Sequence, residues 1–145
     1  FHAHIPEKDI QYYFDTTLSK ENLLKEIENQ HSTFYFACQN NELTGYMKIN
    51  EAPAQTELND QSSLELQRIY LRNNWLGNGE GSYLLNHAIK MAEEKQKDYL
   101  WLGVWENNHR ALSFYKKHGF YAFSEHCFLT GNDKSRDILM RKDLN

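Results

Sequence analysis

The chain has 145 residues, of which 40% are hydrophobic and 25% charged, the size and balance of one folded domain rather than a disordered chain. Sixteen basic residues against 20 acidic ones give a net charge of −4, which is not the basic footprint of a nucleic-acid binder. Apolar runs such as Tyr99–Leu102 are too short to span a bilayer, and no basic-then-apolar leader is visible. Neither nucleic acid nor membrane is therefore expected as a partner, and cytoplasm is the default location.

In chain order, Ile10, Tyr13 and Phe14 stand at helical spacing, but the run is short and Phe1–Leu18 stays unassigned. Ser19 predicts an N-cap for a helix over Lys20–Gln30, with Leu23, Leu24 and Ile27 on one face. Thr33–Cys38 and Leu43–Asn50 read as strands. Asn40-Asn41 between them suits a hairpin turn, because Asn tolerates positive φ. Glu51–Gln61 is polar and reads as a loop.

Within the strand Ser63–Leu71, Leu64 and Leu66 share one parity while Ile69 and Leu71 share the other. One buried face survives that switch only if an extra residue is inserted, so a β-bulge is expected near Gln67-Arg68. Arg72–Ser82 is rich in Gly and Asn. A helix over Gly81–Gln96 follows, with Leu84, Leu85, Ala88, Ile89 and Ala92 as its apolar stripe.

Tyr99–Trp105 is nearly all apolar, as a strand covered on both faces would be, and Trp101 and Trp105 share one face expected in the core. Strand, helix and strand in this order imply a parallel pair. Asn107 or Asn108 can cap a helix over Asn108–His118, which Gly119 can end. Phe120–Leu129 and Ser135–Lys142 predict a terminal hairpin around Gly131-Asn132. The sum is a single α/β (α+β) domain over residues 1–145 with a mixed sheet. Cys38 and Cys127 lie in strand-like apolar runs and are expected as reduced core thiols. The seven histidines show no metal-ligand spacing, and no metal is expected.

Gly77-Asn78-Gly79-Glu80-Gly81-Ser82 joins the bulged strand to a helix. Alternating glycines let a ligand approach the backbone closely, and the first amides of a helix are unpaired at the positive end of its dipole. Together these can cradle a phosphate; a tight turn without a ligand is the plainer alternative. No Lys-Ser/Thr pair closes the run as a P-loop requires. Several residues separate Leu71 from Gly77, whereas a dinucleotide fold turns at once into its glycines.

The run Leu64-Glu65-Leu66-Gln67-Arg68-Ile69-Tyr70-Leu71, followed by Gly79-x-Gly81 opening a helix, resembles the acetyl-CoA signature of the GNAT superfamily of N-acetyltransferases. Asn108-His109-Arg110-Ala111-Leu112-Ser113-Phe114-Tyr115, continuing to Gly119-Phe120, resembles that family's second landmark, in the right order and separation. Trp101–Asn107 and its flanks look most like the PaiA-type polyamine acetyltransferases. Two departures stand out. Leu76 occupies a position where the family usually writes Gln or Arg, and against the family's pattern the chain starts inside or after the first helix, so a first strand and part of that helix are expected to be missing.

The resemblance implies a GNAT-like, mostly antiparallel sheet with one central parallel pair and flanking helices. It implies acetyl-CoA as co-substrate and direct transfer to a primary amine in a ternary complex. A small-molecule acceptor such as spermidine or spermine is one candidate, and a protein or peptide amine another. A CoA-binding sensor without turnover, and a homodimer, also stay open.

Such chemistry needs a neutral amine, donors for the tetrahedral oxyanion, and stabilisation of the leaving thiolate. The bulge can free an amide among Ile69, Tyr70 and Leu71 for the thioester oxygen; the family uses this strand in that way. Gly77, Asn78, Gly79, Glu80, Gly81 and Ser82 are the expected diphosphate cradle. Tyr115 matches the family's general acid, with an apolar core position as the alternative. Asn108 matches its pantetheine contact, with helix capping as the alternative. Glu65 is the candidate base, pointing to a cleft or to solvent; Arg68, Tyr70 and His109 are weaker candidates for contacts.

Overall fold

The computed structural model describes residues 20–72, 79–130 and 133–144. The expectations for Phe1–Leu18, the Ser19 cap, Leu76, Gly77, Asn78 and Gly131-Asn132 lie outside the described residues. The described elements are α1 (Lys20–Glu28), β1 (Ser32–Gln39), β2 (Glu42–Asn50), β3 (Ser63–Leu71), α2 (Glu80–Glu94), β4 (Tyr99–Trp105), α3 (His109–Lys117), β5 (Tyr121–Thr130) and β6 (Asp133–Asp143). The strands form one sheet in the order β1-β2-β3-β4-β6-β5. Only β3 and β4 pair in parallel. This is the mixed, mostly antiparallel fold expected above.

The local chemistry explains the connections. Asn40 and Asn41 both take positive φ, 53° and 63°, and close the β1–β2 hairpin. Lys48 pairs with Arg68 and Ile49 with Leu66, so Gln67 is the extra residue of a bulge. The bulge restores the buried face: Leu64, Leu66, Ile69 and Leu71 all join the same core. The N-cap of α3 is Asn108, whose side chain accepts from the Ala111 amide at 3.1 Å. Gly119 ends that turn at φ 92°.

The main core lies between the sheet and α2. Leu84, Leu85, Ala88, Met91 and Ala92 pack there with Met47, Ile49, Leu100, Leu102 and Val104 from the strands. Fully burying one such side chain is worth about 1.5–3 kcal/mol. The opposite face holds a smaller cluster of Tyr99, Trp101 and Leu139 with Leu58 and Phe123. From the loop after β2, Gln55 accepts from the Trp101 indole N–H at 3.3 Å. Among the described residues no helix is long and apolar enough to cross a membrane.

Three expectations are corrected. Trp101 is buried, but Trp105, at the end of β4, is 49% exposed because the cover over that face ends before it. Cys38 and Cys127 are free, as expected, but exposed rather than in the core, because β1 and β5 are the edge strands. Leu24 and Ile27 of α1 are also about half exposed. That helix is tied to the sheet through its polar side, by Glu26.

Candidate active site

Strands β3 and β4 pair only from Ser63–Glu65 to Tyr99–Trp101, yet they run on to Leu71 and Trp105. Beyond Glu65 they part, and a wedge opens in the sheet. The Arg72 amide donates to the Thr44 carbonyl on β2 at 2.9 Å. Strand alternation turns the Tyr70 amide the same way and those of Ile69 and Leu71 toward the β4 side. Two main-chain donors therefore face the wedge, on the strand where the bulge was predicted. Burying such donors without partners would be costly, so the wedge is suited to an acceptor oxygen.

Helix α2 begins beside the end of β3. Its N-cap is Gly79, at φ 83°, and no side chain caps it. The first helical bond of this turn runs from the Tyr83 amide to the Gly79 carbonyl, so the amides of Glu80, Gly81 and Ser82 precede it. A Cβ on Gly79 would meet nothing within 4 Å. At Gly81 it would lie 3.4 Å from the Phe114 ring and 3.5 Å from Leu71. The two sequence landmarks and the bulged strand thus meet at one place. Gly79 and Glu80 also line an open groove of about 640 Å³ with Phe36, Ala37, Cys38, Gln39 and Tyr83.

Tyr115, next to Phe114 on α3, is 1% exposed. Its ring packs on Phe114 and Phe120 at 5.3 and 5.7 Å. Burial pushes its phenol well above the ordinary value of 10.0. The group stays protonated at neutral pH and acts only as a donor; its hydroxyl makes no hydrogen bond among the described residues. Asn108 spends its side-chain oxygen on the helix cap. His109 is exposed at the first position of α3.

Glu65 lies on the face of the sheet away from α2. It is 2% exposed, so it points neither to solvent nor to an open cleft. One carboxylate oxygen accepts from Asn50 Nδ2 and the Thr56 amide, each at 2.9 Å, and the other accepts from the Thr56 hydroxyl. Beside it Arg68 forms two bonds to Glu26, at 2.7 and 2.8 Å. Lys48 lies 3.7 Å from the same carboxylate. Burial alone would raise the Glu26 carboxyl, yet Arg68 and Lys48 hold it below its ordinary value. Burial and the Arg68 charge lower the Lys48 ammonium. The Tyr70 ring meets that of Tyr46 at a tilt of 39°, with centroids 6.0 Å apart. No sequence pattern points to Asn50, Thr56 or Glu26, since their partners lie 9 to 42 residues away.

A protein-family model described as "Acetyltransferase (GNAT) family" matches residues 3–120. An uncharacterized N-acetyltransferase from Lactobacillus delbrueckii subsp. lactis is 39% identical over 137 residues, covering 94% of this chain and 79% of that protein. A crystal structure of PaiA N-acetyltransferase from Thermoplasma acidophilum in complex with coenzyme A is similar with a TM-score of 0.74 and 26% identity, covering 97% of this chain and 81% of that one. A probable acetyltransferase from Staphylococcus epidermidis shares the fold, with a TM-score of 0.79 at 18% identity over 99% of this chain and 87% of that one. Parted strands, an uncapped glycine helix start and a matching family model thus agree, and the chain belongs to the GNAT family of acetyltransferases.

Proposed function

We propose that this acetyltransferase moves the acetyl group of acetyl-CoA directly to a primary amine, with both substrates bound at once. The observation that carries the reading is the wedge between β3 and β4, with the Ile69 and Leu71 amides facing it beside the uncapped start of α2. Gly79, Glu80, Gly81 and Ser82 offer their amides to the diphosphate, where a helix start favours an anion and the glycines admit close approach. Gly77 and Asn78 belong to the same cradle on the sequence alone.

The amine nitrogen bonds to the thioester carbon, and the carbonyl oxygen becomes an oxyanion held by the β3 amides at Ile69 and Leu71, whereas the Tyr70 amide, expected there from the sequence, is turned to β2 and takes no part. One such donor is worth about 3 kcal/mol in the transition state. The nitrogen sheds its extra proton to solvent water, the oxyanion collapses back to a carbonyl, and the C–S bond breaks with its electron pair leaving on sulfur. Tyr115, kept protonated by burial, donates a hydrogen bond to that thiolate. Asn108 fixes the start of the helix that carries Tyr115, and its match to the family's second landmark supports a contact to the pantetheine arm.

Glu65 was the candidate base. With its oxygens engaged by Asn50 and Thr56, the geometry favours a positioning role that ties β3 to β2 and the loop. The acceptor is a small cationic amine, with spermidine and spermine as candidates; a peptide amine is the competing acceptor.

A panel of amines incubated with acetyl-CoA, with thiol release followed, tests the reading: turnover is expected with at least one. Tyr115→Phe should lower kcat about 100-fold while CoA affinity stays near that of the parent. Unchanged kcat would remove Tyr115 from the mechanism.

A further inference from the structure

Glu65 and Glu26 have their carboxylate oxygens engaged by named donors, whereas Asp137 makes no hydrogen bond and no ion pair among the described residues. Asp137 is half-buried, in the middle of β6, and pairs across the ladder with Trp105 of β4. Its register puts it on the face of the sheet that carries Trp101 and Leu139, away from α2. One of its oxygens lies 3.9 Å from where a Cβ on Gly103 would stand. The carboxylate therefore leans over the one position of β4 that has no side chain. Gly103 is two residues past Trp101, on the part of β4 that has left β3. Asp137 thus borders the wedge from the face opposite α2 and α3.

That face is the one open to a nucleophile if the coenzyme enters from the side of the α2 start. A carboxylate touching the reacting nitrogen would hold it protonated and oppose attack, whereas one set to the side can hold a charge that stays. The half-exposed Trp105 indole beside it offers a ring face to the same charge.

We propose that Asp137, walled by Trp105, is a specificity-determining residue that binds a second cationic group of the acceptor while its neutral amine attacks. The inference rests on the acetyl-transfer reading above and adds the charge pattern of the acceptor. Burial raises the Asp137 carboxyl, the His126 charge on β5 opposes that, and the Glu57 charge from the loop adds to it. His126 is paired to Glu57 at 2.8 Å. An arriving cation would add a direct ion-pair partner, which Asp137 does not have among the described residues.

The test compares 1,4-diaminobutane and 1,6-diaminohexane with 1-aminobutane and 1-aminohexane as acceptors. The diamines should show the lower KM. Asp137→Asn should raise their KM about tenfold, as loss of a bond to a charged group does, with kcat and the monoamine KM near parental values. Calorimetric titration of the same four amines into the CoA-saturated protein reads the site without turnover. Tighter diamine binding that Asp137→Asn abolishes supports the proposal even if no amine is acetylated, a result that would count against acetyl transfer alone. Equal binding of diamines and monoamines overturns it, as does an equal fall in kcat for all four with Asp137→Asn.

Discussion

On the face under α2, the middle strands present Met47, Ile49, Leu64, Leu66, Leu100 and Leu102. On the other face, the same strands present Lys48, Asn50, Glu65, Arg68, Tyr99 and Trp101, all nearly as buried. The first face is stabilised by removal of apolar surface, which tolerates swaps of similar volume. The second depends on each polar group finding its partner, since an orphaned one costs its full desolvation. The wedge runs between the two faces. We read the apolar side as the coenzyme's rigid support and the polar side as the acceptor's, with Asp137 as a carboxylate there that makes no bond among the described residues.

The largest expected effects come from breaking each face at its centre. Leu100→Ala removes a fully buried side chain and should cost about 3 kcal/mol of stability in urea unfolding. Glu26→Ala leaves Arg68 and Lys48 without their carboxylate and should cost a similar amount, about 3 kcal/mol. The faces then differ in rescue: Glu26→Leu combined with Arg68→Met and Lys48→Met should recover most of the loss, as apolar replacement of a buried charge cluster does. Failure of that rescue would mean the cluster does more than stabilise.

Next in size is the contrast between the two carboxylates of the polar side. Glu65→Ala strips acceptors from the Asn50 amide and the Thr56 N–H, at a cost of about 2 kcal/mol. Asp137→Asn should have the opposite sign and raise the melting temperature at neutral pH. A carboxyl raised in the fold above 3.8 takes stability away as pH rises through that range, and the amide removes this dependence. Equal destabilisation by both would make Asp137 a structural group.

A smaller effect separates them by pH. Glu26 is depressed in the fold, so its contribution is complete above 4.5 and is lost as pH falls through its lower folded value. Acid unfolding of Glu26→Gln should lack that step. The smallest effect concerns the sheet edges. Cys38 and Cys127 should both react with a disulfide reagent in the native protein, at rates within about tenfold of the denatured chain. Protection of both would put the edges under cover.

The glycine turn, the bulge and the Tyr115 helix were legible because each is a local pattern. The parity switch between Leu66 and Ile69 demanded an extra residue, and Gln67 is that residue. Asn108 was legible as a cap from its place before an apolar helix. Glu65 was legible only as an acid on a strand. Its burial depends on Asn50 and Thr56, which the chain brings in from β2 and the following loop. The cysteines and Trp105 were misplaced for a related reason: strand composition does not reveal which strand lies at an edge or where a covering loop stops.

Alternation, caps and turn residues are short-range properties, so the amino-acid order alone determined the elements, their sequence and the two landmarks of the family. Only the tertiary structure decided that Glu26 and Glu65 are engaged and that half-buried Asp137 makes no bond among the described residues. The partners of Glu26 and Glu65, and the cross-strand neighbour of Asp137, come from other elements of the chain. A charge is satisfied by whatever the folded chain sets beside it, and that proximity is written in the sheet order rather than in any run of neighbouring residues.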